Sequence, residues 1–167
     1  LPDGEVDEGD TWTVGVEGYH SLASPGGELA ILGENGEAEE EREFREGIRD
    51  TMEGEWTAEW QGTRDEDGTT VGVIALTGEF TSEAEVSFEP DEGITVTRGA
   101  ELELSLEGEL LWDMEAGHFY TANLQGTFNL PFTEQTEIDR EEFQGELVNV
   151  TTFDGEMTWE ITAESDE

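Results

Sequence analysis

Two histidines and 45 carboxylates are the side chains from which this 167-residue chain could build chemistry, since it has no cysteine. His20 precedes Ser21, but adjacent residues on an extended chain point to opposite sides, so they do not make a nucleophile–base pair. His118 stands at the exit of a turn beside Phe119 and Tyr120, where a structural role fits better. A Ser-His-Asp site needs proximity in space, not in sequence, yet no nucleophile-elbow motif accompanies these residues. Close carboxylate pairs of the kind glycosidases use are unavoidable among 45 acids and identify nothing. Two histidines without a cysteine disfavour zinc, and there is no glycine-rich phosphate loop.

No cofactor is expected; calcium is the one the residue types would suit, either as an ordered ion or as part of a diffuse layer of cations condensed on the acidic surface. Hard oxygen ligands gather in Asp3–Asp10, which holds Asp7 and Asp10, and in Asp65–Asp67, which holds Asp65 and Asp67. Neither loop has the spacing of an EF-hand, which needs alternating Asp or Asn, a central glycine and a terminal glutamate. Asn149-Val150-Thr151 matches a glycosylation acceptor but falls inside a strand pattern.

The charge bounds the environment more sharply than the activity. Six arginines and no lysine oppose the acids, giving a formal charge of −39. With 34% apolar residues and regularly placed aromatics, the chain is not compositionally disordered. Self-repulsion of that size opposes compaction in dilute buffer. It fades at about 1 M salt, where the Debye length is about 3 Å. Short, strongly hydrated carboxylates in place of lysine make the composition similar to that of proteins from salt-adapted organisms, haloarchaea and halophilic or marine bacteria. Direct binding to nucleic acid or to an anionic membrane would need a basic face, which is lacking. No apolar run is long enough for a membrane-spanning helix. The first residue is Leu1, which reads as a processed mature protein, secreted or held at the cell surface.

The dominant pattern is alternation with period two, the signature of strands with one apolar face. From Phe44 every second residue reads Phe44, Glu46, Ile48, Asp50, Met52, Gly54, Trp56, Ala58, Trp60, against a polar or glycine set. This predicts one bent strand from Phe44 to Gln61. The same alternation carries Ile74–Phe88, Ile94–Trp112 and Tyr120–Phe132. Shorter strands are predicted at Phe143–Phe153, Met157–Ala163 and Thr11–Gly18, with another at Glu28–Leu32. Turn residues punctuate the runs at Asp65–Gly68, Pro90–Gly93, Met114–Gly117 and Asp154-Gly155. Residues 1–10 form an acidic N-terminal segment, and residues 33–43 an acidic loop or short helical turn. Echoes such as Gly54-Glu55-Trp56 and Gly145-Glu146-Leu147 are too irregular in period for a solenoid or propeller.

These elements specify one all-β domain over residues 1–167, an antiparallel up-and-down meander of long amphipathic strands. Such strands must curl into a barrel, a half-barrel or a bent sandwich to hide their apolar face. The inner face is expected to carry Phe44, Trp56, Trp60, Phe80, Phe88, Trp112, Tyr120, Phe128 and Phe132, either as a filled core or around an apolar ligand. Gly54, Gly78, Gly108 and Gly126 share that parity and permit bends or close packing.

The stretch Gly108-Glu109-Leu110-Leu111-Trp112-Asp113 with Gly117, followed by Leu124-Gln125-Gly126-Thr127-Phe128, resembles a strand–turn–strand signature of secreted β-rich bacterial proteins of the planctomycete type. Their curved-sheet folds are similar to periplasmic lipoprotein carriers. The resemblance implies an extracytoplasmic location and no particular chemistry.

The expectation for function is a non-enzymatic, secreted or surface structural module, self-assembling as a homo-oligomer or filament in salt. One alternative is a carrier holding an apolar, lipid-like ligand against Trp56, Trp60, Phe80, Phe88, Trp112, Tyr120, Phe128 and Phe132. Another is an acidic mimic of nucleic acid.

Overall fold

The computed structural model describes residues 4–18, 39–140 and 143–162. Strand β1 is Thr11–Gly15, helix α1 Glu39–Asp50, β2 Glu53–Glu66, β3 Thr69–Asp91, β4 Ile94–Asp113, β5 His118–Arg140 and β6 Phe143–Thr162. The strands form one antiparallel sheet in sequence order, β1-β2-β3-β4-β5-β6. The all-β meander read from the alternation is therefore the fold, but it is an open sheet rather than a closed barrel. The predicted strand at Glu28–Leu32 and residues 33–38 lie outside the described residues.

Tight turns hold the long strands in register. Asp67 and Gly68 both take positive φ, 52° and 89°, and make a two-residue connection between the paired Glu66 and Thr69. Two left-handed residues match the twist of the flanking strands, which is why an Asp-Gly pair sits there. The Asp65 carboxylate accepts the Gly68 N–H at 3.1 Å and braces the same turn. At the β4–β5 turn, Asp113 Oδ1 accepts the N–H groups of Glu115 and Ala116, each at 2.8 Å.

The predicted strand Thr11–Gly18 stops at Gly15, and residues 16–18 are helical; two further expectations are corrected. Phe44–Asp50 is helical, not the start of β2. Phe44, Gly47, Ile48 and Thr51 recur at helical spacing, and the polar interruptions at Glu46 and Asp50 are the helix's solvent side. Arg49 in the last turn of α1 suits the helix dipole. The second correction is at Asp154-Gly155, which is not a turn. β6 runs through it without a break, and Gly155 pairs with Phe128.

The core lies on one face. Trp56, Ala58, Trp60, Ile74, Leu76, Phe80, Leu104, Leu106 and Leu124 form its buried cluster, with Val6, Trp12, Val14, Phe128, Met157 and Trp159 packed against it. Bulky side chains on this face lie over glycines of neighbouring strands. A methyl group added to Gly78 would sit 2.6 Å from Trp56 Cε3 and 2.7 Å from Phe80 Cε2. The two rings themselves meet edge-on at 5.2 Å, the geometry their quadrupoles favour.

Helix α1 covers the next stretch of the same face. Phe44 packs edge-on against Phe132 at 5.9 Å. The buried Ser82 hydroxyl donates to the Ile48 carbonyl and shares a 2.9 Å hydrogen bond with the Thr51 hydroxyl. A hydroxyl there serves a carbonyl at the helix end that has no partner within the helix.

The opposite face is the acidic one, with an exception near the β4–β5 turn. Val71, Val73 and Leu111 form a second, smaller buried cluster, and Tyr120 packs on it. A register irregularity between Leu111 and Trp112 lets Trp112 pair with Phe119, and Leu111 with Thr121. The bulge re-aims Tyr120 away from the inner face to which simple parity assigned it.

Candidate functional site: the inner aromatic face and strand β6

The aromatics that the carrier alternative sets against an apolar ligand divide into three groups. Trp56 and Phe80 are each 1% exposed and Trp60 is buried, so these three are core. Phe88, Trp112, Phe128 and Phe132 are half-buried. Phe88 is capped by the Arg98 guanidinium at 5.2 Å, and Arg98 also donates to Glu134 at 2.9 Å. Phe128 stands opposite Gly155, and Phe132 is covered by Phe44. Tyr120 belongs to the small cluster on the other face. The Trp56 indole N–H is buried without a hydrogen-bond partner among the described residues.

The hollows of the sheet are open and lined mainly by acidic and polar residues of the outer face. One of about 620 Å³ is lined by Glu53, Glu83, Glu85, Glu101 and Glu103, with Ser82 and Leu102 at its margin. Another of about 410 Å³ is lined by Glu109, Asn123, Gln125, Thr158 and Glu160.

The four aspartates that could serve as calcium ligands are exposed, Asp7 and Asp10 flanking a turn, Asp65 at the end of β2 and Asp67 in the turn that follows it. Asp10 Oδ2 accepts the Asp7 N–H at 2.8 Å, while the Asp10 N–H donates to the Asp7 carbonyl at 2.9 Å. That turn docks on β2 through Trp60, whose N–H reaches the Asp10 carbonyl at 2.9 Å. Asp65 is engaged by Gly68, and Asp67 occupies the left-handed turn position. Among the described residues, no group of three or more His, Asp or Glu side chains converges as a metal site. His118 is exposed and donates its Nδ1–H to the Phe119 carbonyl at 2.8 Å. His20 and Ser21 lie outside the described residues.

Two carboxyls are held below the ordinary aspartate range. Asp113 is lowered by the backbone N–H groups it accepts, Ala116 first. Asp91 is lowered by its contact with the Arg140 guanidinium, which also donates to the Glu92 carbonyl at 3.1 Å. Both groups clasp hairpin ends.

The outer face concentrates like charges. Glu55 stands directly opposite Glu79, Glu83 opposite Glu101, and Glu137 opposite Glu146. Directly opposed like charges destabilise a sheet. Elsewhere the strands interleave amides with acids: Gln125 donates to Glu107 at 2.9 Å and Asn129 to Glu103 at 3.3 Å.

The feature that the alternation alone did not single out is β6. Along its 20 residues it pairs with β5 on one side, and no strand pairs with its other side among the described residues. Phe143, Leu147, Val148, Val150 and Phe153 are exposed, Leu147 by 67% and Val150 by 61%. Successive residues alternate faces, so Leu147 and Phe153 lie on the inner side and Val148 and Val150 on the outer. The signal was present in sequence as Leu147-Val148-Asn149-Val150, where apolar residues take both parities and no charge intervenes. Known proteins supply no precedent: no protein family, curated protein or solved structure matches this chain.

Proposed function

We propose that this chain is a non-enzymatic structural or assembly module of a salt-adapted organism, working outside the cytoplasm and acting through the edge of its sheet. The observation that carries the reading is β6: a 20-residue edge strand with five exposed large apolar side chains, in a chain of charge −39. Long, flat, apolar edges template pairing with another strand, and proteins that must stay single blunt them with lysine, proline or bulges. β6 has no proline, its pairing with β5 runs without a register break, and its central residues Leu147–Phe153 carry no charge.

The opposed carboxylates of the outer face support the salt adaptation, since added salt screens them. The extracytoplasmic location rests on the sequence resemblance and on the acidic composition. The carrier alternative is the weaker one, because Trp56, Phe80 and Ile74 already pack against each other and leave an apolar cargo little to touch.

Sedimentation velocity in about 0.1 M and about 2 M NaCl, with and without calcium, tests the proposal. Species larger than the 18.5 kDa chain are expected at high salt. A monomer under every condition overturns it.

A further inference from the structure

The strand β6 is close to a chemical palindrome about Val150. Stepping outward in both directions, Asn149 matches Thr151, Val148 matches Thr152, and Leu147 matches Phe153. Beyond them Glu146 matches Asp154, Gly145 matches Gly155, Gln144 matches Glu156, and Phe143 matches Met157. Each match joins like with like in size or polarity, and each joins residues of one face.

This symmetry is what an antiparallel strand needs in order to pair with its own copy. In a two-fold interface the same patch meets itself, so every contact occurs twice and the surface must be self-complementary. Building on the assembly reading above, we propose that two copies join edge to edge through β6, antiparallel, with the two-fold axis at Val150. The product is a continuous twelve-stranded sheet whose inner faces lie on the same side.

In this register Leu147 packs beside Phe153 of the second copy on the inner face, and Phe143 beside Met157. On the outer face Val150 meets Val150, and Val148 meets Thr152. These include the most exposed apolar side chains of the described residues, Phe143, Leu147 and Val150. Charge favours this register over its neighbours. The central window Leu147–Phe153 carries no charge, so two strongly acidic molecules meet where neither bears a carboxylate. The like-charge contact that remains is Glu146 beside Asp154, once at each end. That contact makes the interface depend on salt, because two carboxylates side by side need screening.

The absence of cysteine allows single spin labels to be placed cleanly. Gln144→Cys and Glu156→Cys put labels at exposed positions, twelve residues apart along the strand. The register predicts that each variant alone gives an intermolecular distance of about 41 Å at about 3.4 Å per residue. Mixing the two labelled variants should give a second population below about 20 Å, because residue 144 of one copy then faces residue 156 of the other. Both measurements are made in about 2 M NaCl.

Val150→Glu adds an independent test. Val150 is exposed in the single chain, so the variant should keep its urea midpoint at low salt, where the chain is monomeric, while in about 2 M NaCl its dimer dissociation constant weakens at least about tenfold. Dimers with other distances overturn the register and leave the assembly reading intact. So do dimers unaffected by Val150→Glu. A monomer in sedimentation overturns both.

Discussion

Replacing Gly78 with alanine gives the sharpest test of how the inner face is built, because two effects of opposite sign compete there. Glycine inside a strand costs about 0.5–1 kcal/mol relative to alanine, since it surrenders more backbone freedom on folding. Gly78 lies within β3 and its φ is an ordinary one, so on backbone grounds alone alanine should stabilise. Packing says otherwise. The new methyl would sit 2.6 Å from Trp56 Cε3 and 2.7 Å from Phe80 Cε2, both on buried rings. Comfortable carbon contacts lie at about 3.5–4.0 Å, so the overlap is near 1 Å. Overpacking of this kind costs about 1–3 kcal/mol. Subtracting the backbone gain leaves a net loss of up to about 2.5 kcal/mol, centred on about 1 kcal/mol.

Gly99→Ala is the matched control. Its added methyl meets nothing nearer than the Ala84 carbonyl oxygen at 3.8 Å, so only the gain of about 0.5–1 kcal/mol should appear. The assay is urea unfolding of both variants at a fixed salt concentration near 2 M NaCl, read with a common slope. Thermal midpoints should separate in the same order, at about 2–4 °C per kcal/mol for a chain of this size. If Gly78→Ala proves as stable as Gly99→Ala, the rings do not lie over Gly78 and the account of the core fails.

Ser82→Ala should cost about 1–3 kcal/mol by stranding the Ile48 carbonyl, and should speed amide exchange in α1 more than in β4. Uniform exchange across both elements refutes that link. Glu83→Lys places a cation opposite Glu101, and should stabilise by about 0.2–1 kcal/mol at low salt and by less at about 2 M NaCl. A gain that is equal at both salt levels contradicts the screening argument. Asp113 has a depressed folded carboxyl, so its contribution to stability is present above the ordinary aspartate value and lost as pH falls through the lower folded one. Carbon-detected NMR titration should find Asp113 titrating below the ordinary range, and Asp113→Asn should flatten that part of the acid-unfolding curve. An ordinary titration refutes the turn's role.

Much of the fold was readable because alternation is a local property. Over most of β3, β4 and β5 apolar residues keep one parity and polar residues, acidic above all in β3 and β4, the other, and no packing information is needed to recognise them. Three of the four turn signals were equally plain, since Asp67-Gly68 can supply two left-handed residues in succession. Phe44–Asp50 was misread because the apolar spacing Phe44, Ile48 satisfies both a strand and a helix. Only the buried Ser82 and Phe132 waiting to be covered decide between them. Asp154-Gly155 looked like a turn because nothing local records that Gly155 lies opposite the ring of Phe128.

Composition and periodicity therefore determined the all-β class, the meander and the acidic outer surface, because each follows from residue type and nearest neighbours. The tertiary structure decided which strand stands at the edge. Leu147-Val148-Asn149-Val150 reads in isolation like a strand buried on both sides. Its position last in the meander, with β5 on one flank, turns the same residues into a self-matching surface. Edge and centre differ only in what lies beside a strand, and that depends on the whole chain.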